Sequence, residues 1–153
     1  MLNKDYKEML QLLLEEQVNF ILVGAYALSA HGYPRATGDI DIWVKADESN
    51  SKRIYQVLSR FGAPLEQINE NGFAGEGIIF QIGVAPRRID IITQIDGVTY
   101  DEADEDKIVV EVEELKLPII SLSKLIKNKM STGREKDKLD AKFLIKNRKN
   151  RSL

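Results

Sequence analysis

The 153-residue chain contains no cysteine and a single histidine, His31. Without cysteine there is no disulfide framework, thiolate zinc site, iron–sulfur cluster or cysteine nucleophile. One histidine cannot build a histidine-rich metal site, so any metal must be held mainly by oxygen. Long apolar runs are also missing. The longest, Phe20–Val23, falls far short of the roughly 20 residues that a membrane-spanning helix requires. The opening MLNKDYKEML has no apolar stretch after a basic one, so no signal peptide and no membrane partner are expected. The absence of cysteine makes a cytoplasmic location the expectation. Repeats, low-complexity tracts and Pro/Gly-rich linkers are absent, and the length predicts a single domain over 1–153. A hydrophobic fraction of 43% with 30% charged residues excludes a disordered chain.

What is present is unevenly distributed. The formal net charge is only −2. Residues 1–123 nevertheless hold 11 basic against 21 acidic side chains, and residues 124–153 hold 11 basic against 3 acidic. Such asymmetry fits either a phosphate or nucleic-acid partner or a solvated basic helix.

The hydrophobic pattern predicts a helix over roughly 3–17, a buried strand over 19–23 and a short helix over 25–31, stopped by Gly32 and Pro34. Residues 39–44 alternate strictly, which predicts a strand. Asp47–Asn50 supplies caps for a helix reaching about Phe61. The glycine-rich stretch 62–77 reads as loop. Two strands are predicted over 78–84 and 88–93, joined at Pro86, and a short helix or loop over 100–106. A strand follows over 108–112, with another at Ile119-Ile120. A helix capped by Ser121 runs to about Met130, and a last helix runs from about Arg134 to Asn147. The basic C-terminal helical segment is therefore expected at about 121–147. The interleaving predicts an α/β (α+β) fold, a mixed β-sheet with helices packed on it.

Three features carry chemistry. Asp39 and Asp41 lie two apart in a strand, so they share a face while Ile40, Ile42 and Val44 turn to the core. Paired carboxylates suit divalent cations, Mg²⁺ above all; a solvated strand face gives the same pattern. Gly24 lies between a buried strand and a helix, where backbone N–H groups can receive a phosphate, or where the chain simply turns tightly. Asp90 is one acid among apolar strand residues in Arg88-Ile89-Asp90-Ile91-Ile92. It is either a third ligand or proton acceptor, or a structural acid.

Taken in order, Gly24-Ala25, Asp39-Ile40-Asp41 and Asp90 resemble the polymerase-beta-like nucleotidyltransferase superfamily. The segments from His31 to Asp41 and from Lys129 to Asp140 are similar to small bacterial nucleotidyltransferase-like proteins related to abortive-infection toxins. The resemblance covers roughly residues 18–145 and implies the nucleotidyltransferase fold. It implies transfer of a nucleoside monophosphate from an NTP to a hydroxyl of RNA, protein or a small molecule, with release of pyrophosphate. It also implies that Asp39, Asp41 and Asp90 are catalytic and hold two Mg²⁺ ions, with Mn²⁺ an alternative, and that Asp90 takes the acceptor proton. Gly24 and Ala25 would cradle the phosphates, although Ala25 stands where the family has Gly or Ser and brings no hydroxyl. Arg35, Thr37 and Lys129 are further candidates for nucleotide binding.

His31, Tyr26 and Trp43 read as structural or packing residues. Asp137 and Asp140 share a helix face and are expected to pair with Arg134 or Lys136. The basic C-terminal segment is expected to face the carboxylates as a lid. Two competing readings are a catalytically weak or inactive nucleotide-binding component of a toxin–antitoxin or phage-defence system with a partner protein, and a nucleic-acid-binding protein using the basic C-terminus, whose RNA affinity would fall steeply with salt.

Overall fold

A computed structural model describes residues 2–33 and 38–151, with side chains described through residue 148. The elements in order are α1 (Lys4–Glu15), β1 (Phe20–Val23), α2 (Gly24–Ala30), β2 (Ile40–Val44), α3 (Glu48–Phe61), β3 (Ile79–Ile82), β4 (Ile89–Ile92), α4 (Tyr100–Asp106), β5 (Ile108–Val112), β6 (Leu115–Ile119), α5 (Leu122–Ser131) and α6 (Glu135–Arg151). The strands form one mixed sheet in the order β3-β4-β2-β1-β6-β5. β2 pairs β4 in parallel and β1 antiparallel, and β1 pairs β6 in parallel. The outer pairs β3–β4 and β5–β6 are antiparallel hairpins.

Local chemistry sets the helix starts. Asn3, Asp47 and Ser121 accept hydrogen bonds from the backbone N–H groups of Tyr6, Asn50 and Lys124, and Thr99 with Glu102 completes a capping box on α4. The central strands are apolar because both of their faces are covered. All four residues of β1 are buried, as are Ile40, Ile42, Trp43 and Val44 of β2. Tyr6, Met9, Leu10 and Leu13 of α1 and Ile54, Val57 and Leu58 of α3 complete the core around them.

Buried Asn50 ties the ends of two central strands together. Its Nδ2 donates to the carbonyls of Asn19 (3.1 Å) and Lys45 (2.8 Å), and its Oδ1 accepts from the Asn19 N–H (2.8 Å). The Asp47 cap therefore does more than start α3: it presents Asn50 to the sheet.

β6 begins earlier than the apolar pattern at Ile119-Ile120 indicates, because Lys116 and Pro118 interrupt its hydrophobic run. The β5–β6 turn is made by Glu113 and Glu114, both at positive φ (49° and 73°), the geometry of a two-residue hairpin loop. Neither residue carries the Asn or Gly signal by which such turns are read, so this hairpin was hidden.

Candidate active site

The β1–β2–β4 register brings the acids together. In the parallel pair Asp41 stands opposite Asp90, and in the antiparallel pair it stands opposite Val23, the residue before Gly24. Adjacent strands lie about 4.8 Å apart, so Asp41 and Asp90 are immediate neighbours. Asp39, two residues earlier, shares their face, and Ile40 and Ile42 turn to the core.

Arg88, which the sequence did not mark as functional, closes this face. Its Nε donates to Asp90 Oδ1 at 2.7 Å, and its Nη2 reaches both Asp90 Oδ2 and Asp39 Oδ2 at 3.1 Å. Its backbone N–H donates to Asp39 Oδ1 at 3.1 Å. Both carboxylate oxygens of Asp39 and of Asp90 are thus engaged by one residue. The Arg-x-Asp spacing puts the two side chains on one face and was the signal that could have found the pair.

Asp41 shares the negative field without such a bidentate partner. Burial, then the carboxylates of Asp90 and Asp39, push its pKa up from 3.8 to about 6, against a smaller opposing effect of Arg88.

Gly24 explains how close the chain comes to this carboxyl. Its φ is +68°, and a Cβ placed there would lie 2.3 Å from Asp41 Oδ2. Only glycine suits both the left-handed conformation and the contact. Val23, which precedes α2, supplies no side-chain cap, so the first N–H groups of the turn receive no acceptor from it.

Tyr6 pins the strand entrances from α1. Its hydroxyl donates to the carbonyls of Gly38 and Arg88, the residues beside Asp39 and Ile89. Burial, with Tyr26 and Asp39 nearby, holds its pKa up at about 12, so it stays a donor. Tyr6→Phe is expected to destabilise the protein by about 1–2 kcal/mol in urea unfolding, because two carbonyls lose a buried donor. An unchanged midpoint would contradict this role.

Along the same face, two residues beyond Asp41, Trp43 packs edge-on against Tyr100 with ring centroids 5.2 Å apart. These two residues line a cavity of about 580 Å³ with Thr93, Gln94, Val98 and Thr99. Its lining includes Trp43 and Lys45, which follow Asp41 in the chain.

As to a metal, the donor set is right for a hard divalent cation: three carboxylates on two adjacent strands. Among the described residues, however, no three acidic or imidazole groups are arranged around a common point. The reason is visible in the geometry, since Asp39 and Asp90 are turned onto the Arg88 guanidinium. The chemistry of the donor set suits a divalent cation, and two of its three carboxylates are engaged by Arg88.

The other expected residues fall elsewhere. Arg35 and Thr37 lie outside the described residues. Ala25 follows Gly24 in the first turn of α2. Lys129 is buried in α5, with its ammonium 3.5 Å from Asp137 Oδ1 and 3.2 Å from Asp140 Oδ2. Arg134 adds a 2.7 Å contact to Asp137, so this group holds α5 to α6. His31 Nε2 donates to the Ile120 carbonyl at 2.7 Å, joining α2 to the end of β6. The basic C-terminal segment pairs with the acidic α4 through Lys124–Asp106 (3.1 Å) and Lys127–Glu102 (3.3 Å). Part of the charge asymmetry is therefore compensated between neighbouring helices.

No family model and no curated protein matches the chain. Among solved structures, the crystal structure of a protein from Thermotoga maritima, provisionally named a nucleotidyltransferase, matches with a TM-score of 0.64 and 20% sequence identity. The match covers 95% of this chain and 96% of that one. This likeness shows the fold, a mixed β-sheet with helices packed on it. No helix among the described residues is long and apolar enough to cross a membrane.

Proposed function

We propose that this chain transfers a nucleoside monophosphate from an NTP to a hydroxyl acceptor and releases pyrophosphate, using divalent cations. The observation that carries the reading is the juxtaposition of Asp41, Asp90 and Gly24: two carboxylates in register, with a glycine turn against one of them, on a nucleotidyltransferase fold.

Asp39, Asp41 and Asp90 would hold Mg²⁺ or Mn²⁺, which supplies charge neutralisation to the leaving pyrophosphate and lowers the pKa of the acceptor hydroxyl. The backbone N–H groups of Gly24 and Ala25 would bind the phosphates, a role that needs no side chain and tolerates alanine at 25. Asp90, freed from Arg88, would accept the proton of the attacking hydroxyl. The cavity lined by Trp43 and Tyr100 would offer room for an acceptor near the acids. Lys129, committed to Asp137 and Asp140, is assigned to the helix pair and not to the triphosphate.

The test is incubation with each α-labelled NTP, Mg²⁺ or Mn²⁺, and total cellular RNA and protein. Label transferred by the wild type and not by Asp39→Ala supports the reading; equal labelling by both would refute it. Ala25 and the Arg88 clamp favour one second reading, a nucleotide-binding protein without transferase activity. NTP binding at Gly24 with no label on any acceptor would select it.

A further inference from the structure

We propose that Arg88 is the internal counter-cation of the acidic face, competing with divalent cations for Asp39 and Asp90, so that loading a metal ion requires the guanidinium to leave. The inference rests on the metal-dependent reading above and deepens it.

Three observations carry it. First, the guanidinium takes what a cation needs. Its fork holds both oxygens of Asp90, and Nη2 is shared with Asp39. Bidentate carboxylate geometry of this kind is strong and directional. An ion bridging Asp39 and Asp90 has to compete with these bonds, because Arg88 engages every oxygen of the two carboxylates and its positive charge repels a cation placed beside it. Second, the backbone of Arg88 is anchored independently of its side chain. Its carbonyl accepts from the Ile40 N–H (3.0 Å) and from Tyr6 Oη, and its N–H is held by Asp39. The side chain, by contrast, is 30% exposed, against 10% for Asp90. The guanidinium thus borders solvent, and its departure would break its contacts with Asp90 and Asp39 without breaking the backbone bonds of Arg88. Third, the charge balance requires a replacement cation. Three neighbouring carboxylates with one guanidinium leave a surplus of negative charge in a half-buried site. Removing Arg88 without another cation would leave Asp39, Asp41 and Asp90 mutually repelling.

The consequence is specific in sign. A residue that merely builds the site weakens metal binding when it is removed, whereas a competitor strengthens it. Once displaced, the guanidinium remains tethered two residues from Asp90, within reach of an anionic substrate brought to the same ions.

The experiment measures Mn²⁺ binding to the full chain, by the electron paramagnetic resonance of free Mn²⁺ and by calorimetry, for wild type, Arg88→Gln and Arg88→Lys. Arg88→Gln is expected to bind Mn²⁺ at least about tenfold more tightly than wild type. Arg88→Lys, which keeps the charge but loses the fork, should lie between them. Equal or weaker binding by Arg88→Gln overturns the inference and leaves the metal site standing. Absence of Mn²⁺ binding in every form overturns the metal reading and this inference with it.

Should Arg88→Gln fail to fold, the wild type still decides, with Arg88→Lys as the reference for assignment. Its Arg88 Nε–H resonance, identified by its loss in Arg88→Lys, is expected to move as Mg²⁺ saturates the protein. A resonance that stays put at saturation contradicts displacement.

Discussion

Replacing Asp41 with asparagine is expected to lower nucleotidyl transfer at least about 100-fold, since even groups that only orient metal ligands contribute 10–100-fold. In metal-free buffer at pH 7 the same variant is expected to be more stable than wild type, by about 2–3 kcal/mol at roughly 1.4 kcal/mol per pKa unit. The sign follows from linkage. The folded protein holds the Asp41 proton more tightly than the unfolded chain does, with a pKa of about 6 against 3.8. Ionising Asp41 therefore costs the folded state. The cost is absent below about pH 4, grows between pH 4 and 6, and is fully present above that range. Asparagine carries no charge, so the stability difference between the two proteins should open across this window. Urea unfolding at pH 4, 5, 6 and 7 checks it. A variant less stable than wild type at pH 7, or a difference independent of pH, would show that Asp41 is not strained by its neighbours.

Gly24→Ala should lose transfer and destabilise the fold by about 3 kcal/mol, of which the left-handed backbone accounts for about 1–2. The remainder comes from Asp41, whose Oδ2 lies 2.3 Å from the position a Cβ would take. The carboxylate has to rotate away, which removes it from the site as well as from its packing. The two parts separate in a double-mutant cycle. In an Asp41→Ala background the clash has no partner, so Gly24→Ala should cost only the backbone share, and the coupling should be about 1 kcal/mol or more. Additive effects would mean that Gly24 serves the turn alone and does not shape the acidic site.

These expectations rest on features of unequal legibility. The alternation Asp39-Ile40-Asp41-Ile42 and the apolar run ending at Gly24 are local patterns, and local period fixes which side of a strand a residue faces. The central strands, the helix caps at Asp47 and Ser121 and the mixed sheet could be read for that reason. The Glu113-Glu114 turn could not, because its backbone conformation lacks the residues that usually mark it. The role of Arg88 was hidden differently. Its spacing from Asp90 is visible, but its bond to Asp39 depends on the parallel pairing of β2 with β4, residues almost fifty positions apart in the chain. A surface arginine and a carboxylate clamp look the same until that register is known. The same limit applies to Lys129: Asp137 and Asp140 are visible in the same segment, but their contact with Lys129 depends on how α6 packs against α5. The basic C-terminus illustrates the converse. Its charge was plain, whereas its pairing with α4 needed the packing of α5.

The central claim is that one face of the sheet binds divalent cation and triphosphate together. Crystals grown with Mn²⁺ and a non-hydrolysable NTP analogue test it most directly, through the anomalous scattering of manganese. The account predicts manganese between Asp39, Asp41 and Asp90, the triphosphate against the N–H groups of Gly24 and Ala25, and the Arg88 guanidinium withdrawn from both carboxylates. Nucleotide bound away from Gly24, or manganese bound away from these three acids, would contradict it.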